Sequence, residues 1–220
     1  MTNPHLTTPR LATGMRMSRD EFLRTWEELP ELKCAELIDG VVYVASPVGS
    51  FHGAVDFDFH FWLGYYALHT PRCEGGSNAT WLMLGDAPQP DAHLRVHEQF
   101  GGLSRIESGL FAGAPELAVE VCQSSTRAEM RLKLALYRRA GVREYIIAEA
   151  STRRIEWLAL DPSGDSLIEP SPGGILKSRV FPGLWLDAEA LWERDRPRLV
   201  RVLEQGLATP EHAAFASWAS

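Results

Sequence analysis

The sequence predicts a single α/β domain built as a mixed β-sheet flanked by helices, and three stretches carry that reading. Residues 36–44 hold two β-rich runs joined by Asp39-Gly40, the dipeptide that suits a two-residue hairpin turn with positive φ. Residues 51–69 place Val55, Phe59, Trp62, Leu63 and Tyr66 at spacings of three and four, one helical stripe facing a core. Residues 116–122 read as a strand buried on both faces. Leu117, Val119 and Val121 fill one side, and Ala118, Glu120 and Cys122 the other. A second long helix follows over 126–140, stopped by Gly141, which suits the left-handed C-terminal cap.

The other elements fall into place around these. Residues 1–17 lack hydrophobic periodicity and read as a flexible arm. Ser18, with Glu21 three residues on, caps a short helix over 18–28. Strands are expected at 80–84 and 91–96, separated by a segment whose Pro88 and Pro90 cannot continue a ladder. Residues 99–115 read as loop. Two strands, 144–149 and 154–160, surround a short turn, a Pro/Gly/Ser-rich loop covers 161–174, and a last strand lies near 175–180. A C-terminal helix is expected over 187–205. The domain organisation is thus an arm (1–17), a core domain (18–190) and a helical extension (191–220) packed on it. Strands alternating with helices give the fold class.

Composition narrows the function. With 220 residues, 45% hydrophobic and 23% charged, the chain can bury one ordinary core. No run approaches the ~18 apolar residues of a membrane span, and the N-terminal residues lack the apolar core of a signal peptide. Cys34, Cys73 and Cys122 form no CxxC pair, so neither a disulfide framework nor a zinc knuckle is expected. A cytoplasmic protein without membrane contact follows. The net charge of −7 excludes coating of nucleic acid by bulk electrostatics. One segment stands apart: residues 127–143 carry Arg127, Arg131, Lys133, Arg138, Arg139 and Arg143 against Glu129 alone, which is either a solvated helix face or a polyanion contact.

Glu120 is the sharpest chemical signal, because a carboxylate in the middle of an apolar strand must be paired, neutralised or bound to a metal. Asp91, opening the 91–96 strand after Pro90, reads alone as a turn residue. Beside Glu120 it offers the pair of oxygen donors that a hard divalent cation takes. Lys133 lies on the border of the apolar stripe of the 126–140 helix, where it serves either an i,i+4 pair with Glu129 or a site on the neighbouring strand. His52, in the first turn of its helix, and Glu36, before the hairpin turn, read more simply as a core histidine and a solvated acid. Phosphate loops, dinucleotide fingerprints, nucleophile elbows and HExxH are absent, which excludes the chemistries that need them.

Taken together, Glu36-Leu37-Ile38-Asp39-Gly40, Pro47 with His52, Pro90-Asp91, the strand from Pro115 to Val121 and the run Lys133-Leu134-Ala135-Leu136-Tyr137 through Gly141 to Tyr145 resemble the Uma-two family of restriction endonucleases, within the PD-(D/E)xK nuclease superfamily. Phe181-Pro182-Gly183-Leu184 fits the closing strand of that family. The resemblance implies a restriction-endonuclease-like sheet, Mg²⁺ (or Mn²⁺) dependence and hydrolysis of phosphodiester bonds. It makes Asp91 and Glu120 the metal-binding carboxylates and Lys133 the catalytic lysine, with Glu36 and His52 lining the site. Cys122 stands where the lysine of (D/E)xK is expected, so in this family the lysine comes from the next helix. Two functions stay open: a metal-dependent nuclease acting on DNA, expected as a homodimer because duplex cleavage needs two sites, or a catalytically idle nuclease-fold module that binds nucleic acid or a regulatory partner.

Overall fold

A computed structural model describes residues 10–47, 49–123 and 127–217. In chain order the elements are α1 (Arg19–Glu27), β1 (Ala35–Ile38), β2 (Val41–Val44), α2 (Ser50–Leu68), β3 (Cys73–Ser77), β4 (Trp81–Leu82), β5 (Ala92–Val96), β6 (Ser104–Glu107), β7 (Leu110–Gly113), β8 (Leu117–Cys122), α3 (Arg127–Ala140), β9 (Glu144–Glu149), β10 (Arg154–Ala159), β11 (Ser166–Leu167), β12 (Ile175–Lys177), β13 (Trp185–Asp187), α4 (Ala188–Glu193), α5 (Arg196–Leu207) and α6 (Pro210–Ala216). A six-stranded sheet runs β11-β10-β9-β8-β5-β3. Within this sheet only β8 and β9 are parallel neighbours among the described residues, the pair joined by the α3 crossover, as parallel neighbours require.

β8 is central and buried at every position, and its pleat divides the core. Leu117, Val119 and Val121 pack with Val55, Phe59, Trp62 and Leu63 of α2 and with α4 and α5. Ala118 faces the other way, into a smaller cluster with Ile38, Trp81, Leu136, Tyr137 and Tyr145. Glu120 and Cys122 share that second face, which α3 and the β1–β2 hairpin cover. Asp39 and Gly40 at the hairpin turn have φ of 53° and 68°, the turn expected of Asp-Gly. Ser18 accepts from the Glu21 amide at the start of α1.

The structure departs from the sequence reading in several places, one of them the 161–174 loop, which holds β11 as the edge strand of the main sheet. Residues 1–9 lie outside the described residues, but from Leu11 on the expected arm is pinned: the Gly14 amide donates to Val42 O and the Val42 amide to Met15 O, and Leu11 is buried beside Phe22 and Leu37. The 99–115 loop contains the β6–β7 hairpin, turning at Ser108 and Gly109, both with positive φ. β3 was not anticipated; Glu74-Gly75-Gly76 has little strand propensity and is held by pairing along β5. The expected 187–205 helix is two helices, because Arg194 is left-handed (φ 59°) and Asp187 and Asp195 each cap a new start, accepting from the Ala190 and Arg198 amides.

Two glycines test the packing. A Cβ on Gly206 of α5 would lie 2.2 Å from Gly183 O, whereas one on the exposed Gly64 of α2 would meet nothing within 4 Å. Gly206→Ala is expected to cost about 2 kcal/mol, a fall of roughly 4–8 °C in Tm. Gly64→Ala should raise Tm by roughly 1–4 °C through helix propensity. Thermal melts of the two variants check both signs.

Candidate active site

The β5–β8 register sets Ala92 opposite Val119, so Asp91 stands across from Glu120 at one end of the sheet. β5 starts only at Ala92, and Asp91 itself completes the edge: its Oδ2 accepts from the Val121 amide at 2.7 Å. Glu120, 3% exposed, takes no backbone donor among the described residues. The Lys133 ammonium donates to both its oxygens, each at 2.8 Å, and the Tyr137 hydroxyl donates to Oε1 at 2.8 Å. Lys133 and Tyr137 are one turn apart on α3, which carries both over the Glu120 face of the sheet.

Glu36 joins from the β1–β2 hairpin. Its Oε1 accepts from Lys133 Nζ at 2.8 Å and from the Gln89 amide at 2.6 Å. One carboxylate thus ties together the hairpin, α3 and the Pro-rich segment that delivers Asp91. Glu36, Asp91, Glu120 and Lys133 are brought together at this end of the sheet. His52 sits in the first turn of α2, half-buried, and its electrostatic influence falls on Asp56.

Three residues were missed. Tyr137 reads as part of the apolar stripe of α3, and only its hydroxyl contact marks it as polar. His60 Nε2 lies 2.7 Å from the Asp91 carbonyl, with Asp56 one turn earlier, 3.6 Å from His60 Nδ1. The signal was available: His52, Asp56 and His60 recur every fourth residue, a polar line beside the apolar stripe.

Satisfaction separates the buried glutamates by role. Glu116 accepts from the Val96 and Leu103 amides, and Glu144 from the Arg179 amide, Ser178 and Trp157. Both are fastened by groups that hold strand ends and loops. Burial pushes the Glu120 carboxyl above its ordinary value; Lys133 opposes this, and Asp91 and Glu36 add to it. The Lys133 ammonium is held charged because those carboxylates outweigh its burial. Burial likewise raises Asp56, to about 6. Three acidic side chains thus share one ammonium, and the most buried of them, Glu120, has its carboxyl raised.

The basic segment 127–143 shrinks in three dimensions. Lys133 is consumed by the site, Arg138 forks onto Asp165, and the Arg127 side chain lies outside the described residues. Arg131, Arg139 and Arg143 are exposed. Beyond Glu120, a cleft of about 180 Å³ is lined by Cys122, Met130, Arg131, Leu134, Ile147 and Arg154 among others.

Residues 19–189 match a family model described as "Uma2: Putative restriction endonuclease". The chain belongs to this family. Among solved structures, it is similar to the crystal structure of a protein from Anabaena variabilis described as a putative nuclease, with a TM-score of 0.64 and 16% identity over 80% of this chain and 98% of that one. The likeness shows a shared fold, and the restriction-endonuclease-like architecture read from the sequence holds. No curated protein matches the chain. Among the described residues, no helix is long and apolar enough to cross a membrane.

The cluster predicts its own coupling. Lys133→Met leaves three carboxylates facing one another and should destabilise by about 3–5 kcal/mol. Adding Glu120→Gln should return part of that loss, a positive coupling in a urea-denaturation cycle. A pH effect follows from Glu120. A carboxyl raised in the folded state contributes stability that is fully present below its unfolded pKa, near 4.5, and is lost as pH rises through the folded value. Wild type should therefore lose stability from mildly acid to neutral pH, and Glu120→Gln should flatten that slope.

Proposed function

We propose that the chain is a divalent-cation-dependent nuclease that hydrolyses phosphodiester bonds of DNA, with Mg²⁺ or Mn²⁺ held by Asp91 and Glu120. The observation that carries this reading is the arrival of the Lys133 ammonium from α3 at Glu120, beside Asp91. It places two carboxylates and a lysine at one sheet end even though Cys122 occupies the usual lysine position. The donor set fits the ion. Hard oxygen ligands suit Mg²⁺, and a bound cation would favour the ionised form of the raised Glu120 carboxyl. Among the described residues, no three His, Cys, Asp or Glu side chains form a metal-holding group, so water and phosphate oxygens would complete the coordination, as Mg²⁺ prefers. A cation there would neutralise phosphate charge and acidify a bound water.

The protein's own groups supply the rest. Lys133 would orient the attacking water or stabilise the charge that builds on the phosphoryl oxygens. Tyr137 fixes the rotamer of Glu120, and Glu36 holds the ammonium and the Gln89 backbone in one geometry. Arg131 and Arg154, at the cleft beyond Glu120, would meet neighbouring phosphates. Cutting both strands of a duplex takes two sites, so we further propose that the chain acts on duplex as a homodimer. A catalytically idle nucleic-acid-binding module is the second reading. In its favour, the three protons of Lys133 already face carboxylate oxygens: two of Glu120 and one of Glu36.

Mg²⁺ or Mn²⁺ is expected to raise the Tm of the wild type. Glu120→Gln should lose the shift, and without metal it should melt no lower than wild type. Lys133→Gln should keep the shift and lose cleavage, because its role lies in the transition state. Melts with and without metal, alongside cleavage of plasmid, single-stranded DNA and RNA, check each point. A Glu120→Gln protein that responds to Mg²⁺ as wild type does would move the cation elsewhere, and wild-type metal binding without cleavage of any substrate would favour the idle module. Replacing Arg131 and Arg154 by Glu should weaken DNA binding and reduce the slope of log affinity against log salt by about 2.

A further inference from the structure

We propose that His60, oriented by Asp56, is a positioning residue that holds Asp91 at the site. The proposal rests on the nuclease reading only for what Asp91 does there; the tether itself is geometric. Asp91 lies between the Pro88–Pro90 segment and the first residue of β5, outside the ladder pairs of the sheet. Its carbonyl accepts from His60 Nε2 at 2.7 Å and from the Asn78 amide at 3.1 Å, while its carboxylate accepts from the Val121 amide. The backbone and side chain of one residue are thereby fixed from α2, from the β3–β4 connection and from β8, and His60 is the side chain among these donors.

A carbonyl can only accept, so the proton must sit on Nε2 when His60 is neutral. Nδ1 then carries the lone pair and lies 3.6 Å from Asp56 Oδ2, one helical turn earlier on the same face, so Asp56 acts on it as a charge partner of the protonated ring and not as a hydrogen-bond acceptor of the neutral one. The other Asp56 oxygen is buried without a partner among the described residues, and His60 is the cation-forming group that faces the carboxylate. The sequence carboxylate, imidazole, backbone carbonyl is an outer support of the kind that sets the geometry of an ion site. Its foundation is rigid: Val55, Phe59, Trp62 and Leu63 of α2 are at most 1% exposed, and Asp58 is clamped by Arg196 at 2.6 Å. A small shift of the Asp91 backbone would move its carboxylate off the Val121 amide and away from Glu120.

Two readouts test the tether. Hydrogen exchange at the Val121 amide reports the Asp91 carboxylate without metal, with amides of the β9–β10 pair as reference for global stability. A Mn²⁺ titration followed by thermal shift reports ion binding. His60→Ala is expected to speed Val121 exchange roughly tenfold with the β9–β10 amides unchanged, and to weaken the Mn²⁺ midpoint by about tenfold. His60→Gln, which keeps an N–H donor at similar reach, should restore both, a rescue that loss of packing would not show. Asp56→Asn should fall between, and it serves as the probe if His60→Ala does not fold. Unchanged Val121 exchange in a folded variant, or failure of His60→Gln to rescue, overturns the proposal. If wild type takes no Mn²⁺ while the Val121 pattern holds, the tether stands and the metal reading falls. If Mn²⁺ binds and Val121 is indifferent to His60, the reverse is true.

Discussion

The interaction on which the rest of this structure depends is the burial of one ammonium, Lys133, 6% exposed, among the carboxylates of Glu120 and Glu36. A charge taken out of water costs several kcal/mol unless its partners are close and well aligned, and here three oxygens stand at 2.8 Å. That requirement fixes the rotation of α3 about its axis, because Lys133 and Tyr137 must both face the sheet. It also draws in the β1–β2 hairpin, which has no ladder pairing with the six-stranded sheet. The small apolar cluster around Trp81, Tyr145 and Ile38 closes over this junction and keeps it dry, and dryness is what gives the charges their leverage.

The ends of the β5–β8 pair show one device used twice, with different outcomes. At the far end, Glu116 spends both oxygens on the Val96 and Leu103 amides, so nothing is left for a ligand. At the near end Asp91, across from Glu120 in the register, spends Oδ2 on Val121, and among the described residues its Oδ1 takes no hydrogen bond. Position in the strand pair makes both carboxylates structural caps, and the difference in satisfaction makes only one of them a candidate for chemistry.

Most of this was legible because it is local. The period-two pattern of β8 exposed Glu120 as an acid where an apolar residue belongs, and Asp39-Gly40 and Ser18 declared a turn and a cap. Glu36 reads as an ordinary solvated acid in its own segment, and Lys133, at the border of an apolar stripe, reads equally as a helix-pair charge or a site lysine; the combined spacing decided between them. What stayed hidden depends on contacts far apart in sequence. Gly75 and Gly76 become strand because β5 offers an edge. Leu11 is buried because the hairpin accepts the chain at Val42. Tyr137 is apolar by pattern and polar only through an oxygen 17 residues away. His60 belongs to a polar line that α2 shows by itself, but the carbonyl it reaches is 31 residues away, and that partner is not legible from the helix.

Cys122 and Lys133 are two halves of one packing solution. Cys122 shares the Glu120 face of β8 and is 3% exposed, and Met130 and Leu134 of α3 line the same cleft. A small, weakly polar side chain at that position leaves room for apolar residues of the helix to settle against the strand. A lysine there would bring a second buried ammonium under the helix and push Met130 out, and the approach of α3 that delivers Lys133 would be lost. Moving the charge from strand to helix therefore requires a small residue at the vacated position. Cys122 is thus a small buried residue on the face of β8 where Lys133 meets Glu120, and Met130 and Leu134 of the same helix line the cleft beside it.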